Sequence, residues 1–150
     1  MDGKEFFMVA ENLMEGTKEA EYRSAVSRAY YGAFLCGRQL LTDWGFTVEK
    51  ESKAHGEVRQ KFRACEQAGI IDVAKAASNL YDLHSARLDA DYLKTKKIGE
   101  REVARRWVEI ARSIIAQLEG CKNEPKKTRV IEAIKDYEAK IQAASAPPKP

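Results

Sequence analysis

The amino-acid sequence predicts an all-α protein, an up-and-down bundle of four to five helices with an additional C-terminal helix. Three observations carry that reading. Apolar residues recur at steps of three and four through successive segments of the chain. No stretch shows the two-residue alternation of a half-buried strand, and there is no internal repeat. Helix-ending glycines stand at Gly16, Gly45, Gly69 and Gly120, and Gly99 and Pro125 stand just before the starts of further segments.

The first helix is expected from about Lys4 to Glu15: Asp2 can cap its first amides, Glu5 stands where a capping box wants an acid, and Gly16 can end it. Phe6, Val9, Ala10 and Leu13 form its expected buried side. Thr17 is the expected N-cap of a second helix reaching about Trp44. Tyr22, Val26, Ala29, Ala33, Cys36 and Leu40 make one apolar stripe on it, and Tyr30, Phe34 and Leu41 another. A helix apolar on more than one side is central. Ala25, Ala29, Gly32 and Cys36 add a ridge of small residues that lets a neighbour approach closely.

Phe46 to Glu51 reads as a loop. Ser52 is a candidate cap for a third helix, about Lys53 to Ala68, on which His55, Val58, Phe62 and Cys65 keep the helical step. A lone histidine there is expected to be a satisfied helix-start residue at the edge of the core. Asp72 is the expected cap of a fourth helix, about Val73 to Thr95, with Lys94, Lys96 and Lys97 complementing its dipole. A fifth runs from about Glu100 to Glu119 with Val103, Trp107, Ile110, Ile114 and Leu118 inward. A sixth, about Lys126 to Ala144, has a narrow stripe of Val130, Ile134, Tyr137 and Ile141 suited to a satellite or docking role. The chain thus divides into a bundle over 1–121, an appended helix over 122–144 and an unpacked tail over 145–150.

At 150 residues with 33% charged and 44% hydrophobic residues, the composition suits one water-facing helical domain. No apolar run approaches the roughly 18 residues of a membrane span, and MDGKEFF does not open like a secretory leader, so a cytoplasmic protein is expected. Cys36, Cys65 and Cys121 are odd in number and widely spaced, which gives neither a disulfide framework nor zinc spacing. No metal or other cofactor is expected. Residues 1–21 carry six acids against two lysines, and residues 94–129 eleven Lys or Arg against five Glu. The basic half can meet phosphates, although interleaved glutamates also fit a solvated helix face.

The most informative stretch is Leu80 to Tyr92, LYDLHSARLDADY. Val73, Ala77, Leu80, His84, Arg87 and Asp91 fall on one side of the fourth helix, so its core-facing stripe turns ionisable without losing its spacing. Buried ionisable groups need partners or a wet cleft. Arg28, on the second helix, is expected to reach Asp91 across the bundle. Tyr30, Tyr31 and Phe34 at helical spacing read first as core.

Three segments together resemble the HEPN superfamily, the higher eukaryotes and prokaryotes nucleotide-binding domains, and more narrowly its small stand-alone prokaryotic branch. They are Ser27-Arg28-Ala29-Tyr30-Tyr31-Gly32-Ala33-Phe34, His55-Gly56 and Arg87-Leu88-Asp89-Ala90-Asp91-Tyr92. The likeness covers about Lys4 to Glu119. It implies a helical bundle, commonly a homodimer, often paired with a minimal nucleotidyltransferase in toxin and antitoxin systems. It also implies that many relatives are metal-independent ribonucleases whose arginine is separated by four to six residues from a catalytic histidine. Here Tyr92 occupies that place after Arg87, and a free phenol, titrating near about 10, is a poor base at neutral pH.

Three readings follow. A non-catalytic module would bind a nucleotide, RNA or a nucleotidyltransferase partner through Arg28, Tyr31, His84, Arg87, Asp91 and Tyr92. A ribonuclease would use Arg87 with His84 or Tyr92. An adaptor would dock through the helix at 126–144.

Overall fold

A computed structural model describes residues 2–50, 52–94 and 97–148. Along it run α1 (Gly3–Met14), α2 (Glu19–Asp43), α3 (Ser52–Arg63), α4 (Ile71–Tyr92), α5 (Arg101–Gly120) and α6 (Lys126–Ser145), with 3-10 turns at Ala64–Glu66 and Lys97–Gly99. The described residues contain no strand. Among them, no helix is long and apolar enough to cross a membrane.

The second helix is central because its small and large apolar residues are buried on several sides: α1, α4 and α5 all pack on it. Val26, Ala29, Ala33 and Leu41 have no exposed surface. The small-residue ridge is where α1 comes closest. A Cβ added at Gly3 would lie 2.5 Å from the Gly32 carbonyl oxygen, and one added at Gly32 would lie 2.9 Å from the Gly3 carbonyl oxygen. This approach turns α1 one position from its expected register. Phe7, Ala10 and Met14 face inward, while Phe6 and Leu13 are half-buried and Val9 is exposed. Asp2 does cap the helix, its carboxylate accepting from the Lys4 N–H at 2.9 Å.

The expected caps of α2 and α4 are replaced. Glu21, not Thr17, serves the start of α2, its carboxylate accepting from the backbone N–H groups of Thr17 and Lys18. Gly45 ends the helix with φ +85°, a conformation that suits a residue without Cβ. Gly69 (φ +75°) closes the 3-10 turn after α3. Asp72 lies inside the first turn of α4, where it accepts from Val73 N–H and pairs with Lys126 at the start of α6. Lys94, Lys96 and Lys97 were expected to complement the dipole of α4. Arg23 from α2 also holds that end, donating to the carbonyls of Asp89 and Ala90 in the last turn and of Leu93 and Lys94 just beyond it, at 2.9–3.3 Å.

On α5 the inward side is Ala104, Val108, Ala111, Ile114 and Leu118, with Val103, Trp107 and Ile110 half-buried on its flank. Alanines at the centre of that side let α5 sit against both α2 and α4. The sixth helix packs on α3 and the turn at Ala64–Glu66. Val130, Ala133 and Ile134 are buried, Tyr137 is half-buried and Ile141 is exposed. Lys61–Glu138 at 2.8 Å ties α3 to it from outside. Cys36, Cys65 and Cys121 are free thiols. Thr95 and Lys96 at the expected end of the fourth helix, Glu51 of the expected loop, and Lys149 and Pro150 of the expected tail lie outside the described residues.

The α1–α2 approach makes a prediction. Gly32→Ala would push a methyl group against the Gly3 carbonyl and Phe7, at a cost of about 1–3 kcal/mol for overpacking. At Gly56 a Cβ meets nothing within 4 Å, and Gly56→Ala should add about 0.5–1 kcal/mol to stability. Thermal melts of the two variants should therefore move in opposite directions, and an unchanged midpoint for Gly32→Ala would contradict the close approach.

Candidate functional site

The ionisable end of α4 meets α2 and the start of α3. Burial declines along the stripe: Val73, Ala77 and Leu80 are core, His84 and Arg87 are half-buried, and Asp91 is exposed at the rim. From α2, Ser27, Tyr30, Tyr31 and Phe34 face this end, and from the first turns of α3 comes His55.

Arg87 is held from two sides. Its Nη2 donates to the Tyr31 hydroxyl at 2.9 Å, with the guanidinium carbon 5.1 Å from that ring's centre. Its Nε lies 2.9 Å from Asp91 Oδ2 in ion-pair contact, although its N–H points off the line of a hydrogen bond. The buried Ser27 hydroxyl donates to the same carboxylate oxygen at 3.2 Å. Arg28 does not join this chain. It is exposed, with its guanidinium carbon 5.8 Å from the Phe6 ring centre. The expected Arg28–Asp91 bridge is replaced by Arg87–Asp91 because Arg28 faces α1, whereas Ser27 faces α4.

Behind Arg87 lies a stack of rings. His55 and His84 face each other at 5.1 Å between centroids and 8° between planes. Tyr30 lies 4.9 Å from His84, and Phe34 lies 4.4 Å from His55. The Tyr30 hydroxyl is 2.5 Å from His55 Nδ1, which fixes that ring's orientation. Burial, then Arg87 and Arg38, hold His55 below the ordinary imidazole value of 6.5. For His84, burial again leads, followed by His55, Arg87 and Arg59. Burial also pushes the Tyr30 phenol well above its usual range. At neutral pH the pair is therefore two uncharged imidazoles beside a guanidinium.

Tyr31, His84, Arg87 and Asp91 are brought together, and Arg28 and Tyr92 are not. Tyr92 is 69% exposed at the end of α4. Tyr30 and Phe34 are core, as their spacing indicates. His55, read as a local structural residue, stands inside the cluster, and its place in the His55-Gly56 motif was the signal that could have found it. Among the described residues no group of three or more His, Cys, Asp or Glu side chains could hold a metal ion.

Residues 2–121 of this helical bundle match the HEPN domain family. The chain belongs to that family. Searches of curated proteins and of solved structures give no match.

The ion pair and the ring stack can each be tested. Asp91→Ala removes the counter-ion of a half-buried guanidinium and should lower stability by about 1 kcal/mol, seen as a shifted denaturation midpoint. An unchanged midpoint would mean that the pair is not structural. The histidines give a pH dependence. Their folded-state values lie below 6.5, so the unfolded chain binds more protons between that folded value and 6.5. Stability is fully present above pH 6.5 and falls as the solution is acidified through the lower folded-state values. Melting temperatures from pH 7.5 to 5 should drop, and should drop less in His84→Gln. An equal slope in both proteins would refute the assignment.

Proposed function

We propose that the protein is a non-catalytic HEPN binding module that recognises a nucleotide or single-stranded RNA at the edge formed by His55, His84 and Arg87. It acts as a homodimer, with a minimal nucleotidyltransferase as partner in a toxin–antitoxin-like or defence setting. The observation that carries this reading is the uncharged imidazole stack beside an already compensated arginine.

Metal-independent RNA scission needs a proton acceptor, a protonated donor and a cation for charge developing on the phosphate. In this cluster both imidazoles are held neutral, and Arg87 is shared between Asp91 and Tyr31. Flat neutral rings with ring nitrogens and a guanidinium at their edge suit a base and a phosphate. The adaptor reading has less support, because the most apolar side of α6 is already packed against its own bundle.

One observation favours the ribonuclease reading as the alternative: His84 stands one turn before Arg87 and faces a second imidazole, so an acceptor and a donor are close enough to act in relay. Incubation of the purified protein with labelled single-stranded RNA at pH 7 separates the two. Binding should be seen with the RNA intact, and Arg87→Ala should weaken it about tenfold, on the order of 1.4 kcal/mol. Cleavage products formed by the wild type and lost in both Arg87→Ala and His84→Ala would replace the binding reading with the catalytic one.

A further inference from the structure

A second feature begins one turn from each imidazole, at Arg59 on α3 and Tyr81 on α4. On α3, His55, Arg59 and Arg63 follow at steps of four and share one face. They span eight residues, or about 12 Å of helix. Along α4 the matching positions run in the opposite sense. His84 faces His55, Tyr81 faces Arg59, and Arg63 and Lys75 line the same groove. Between the two helices lies a groove of about 700 Å³ lined by Arg59, Arg63, Glu66, Lys75, Ser78 and Tyr81 among others.

Its charge is uneven: three cations face one carboxylate, Glu66. Among the described residues no carboxylate pairs with Arg59, Arg63 or Lys75, whereas Lys61, on another face of α3, pairs with Glu138. Cations left without acidic partners along one groove fit an anionic ligand. Tyr81 shapes that preference. Arg59 sits 4.5 Å from its ring centre, and the ring is still 53% exposed. An open aromatic ring among cations matches the alternation of base and phosphate in a single strand. An acidic peptide would use the charges but has no regular need of the ring.

We propose that the α3–α4 groove is a track for single-stranded RNA, continuous with the imidazole pair, with Arg59, Arg63 and Lys75 on successive phosphates and Tyr81 beneath a base. The proposal rests on the reading of the His55–His84–Arg87 edge as a nucleotide or RNA site. It adds the direction in which the strand leaves that edge.

Fluorescence anisotropy with labelled di- and octa-uridylates tests it on the wild type, on the Arg63→Glu/Lys75→Glu double variant, and on Arg87→Ala. Both groove substitutions are at exposed positions, and matching melting curves confirm folding. The octamer should bind the wild type more tightly than the dimer. In the double variant the octamer should weaken roughly tenfold or more, and its slope of log affinity against log salt should become shallower by about 1.4, roughly 0.7 for each phosphate no longer neutralised. Dinucleotide binding should not change there, while Arg87→Ala should weaken both probes. An octamer unaffected by the double variant but weakened by Arg87→Ala would remove the track and leave the site. Failure of both probes to bind the wild type would remove both. Displacement of the octamer by a polyglutamate decapeptide at equal concentration would overturn the track in favour of an acidic protein partner.

Discussion

The crowding of α2 is the constraint on which the rest of the molecule depends. A helix enclosed on several sides can admit neighbours only where its side chains are small, and α1 enters over Gly32 within reach of the backbone itself. The larger residues are then left to face the remaining space. Tyr30 and Phe34 fill the corner with α3 and α4, and Ser27 and Tyr31 reach the ionisable end of α4. The packing that builds the core thus also delivers the polar cluster.

That cluster carries little free charge. Its cation is compensated, its imidazoles are uncharged at neutral pH, and a tyrosine hydroxyl occupies one ring nitrogen. Such a site presents shape and hydrogen-bonding edges while carrying little free charge. The uncompensated cations lie further along α3 and on the facing turn of α4. The compensated ring cluster and the uncompensated cations are therefore separated in space.

Much of the fold was legible because helical periodicity and glycine punctuation are local signals. Gly45 and Gly69 end their segments in the left-handed region, and the stripes of α2 and α4 are the ones the structure buries. The misreadings were of rotation and capping, which depend on neighbours. Phe6 against Phe7 on α1, and Trp107 against Val108 on α5, differ by one position that only the partner helix decides. Thr17 and Asp72 miss the cap positions by one or two residues: α2 starts at Glu19 with Glu21 accepting from Thr17 and Lys18, and α4 starts at Ile71, which puts Asp72 inside its first turn. At the site, Tyr31, His84, Arg87 and Asp91 were visible from one stripe and one motif. His55 was not, because its partner is 29 positions away in sequence and a single histidine carries no spacing of its own. Arg28 failed for a related reason: the residue beside it, Ser27, faces the carboxylate.

The grip of Arg23 on the end of α4 affects how that end moves. Terminal turns of helices ordinarily open and close alone, since their last carbonyls have little to lose. Here two of those carbonyls, Asp89 and Ala90, and the two just past the helix, Leu93 and Lys94, share one guanidinium rooted in α2. The final turn, with Asp91 in it, then opens only when the two helices part, so the rim of the cluster belongs to the same cooperative unit as the centre of the protein.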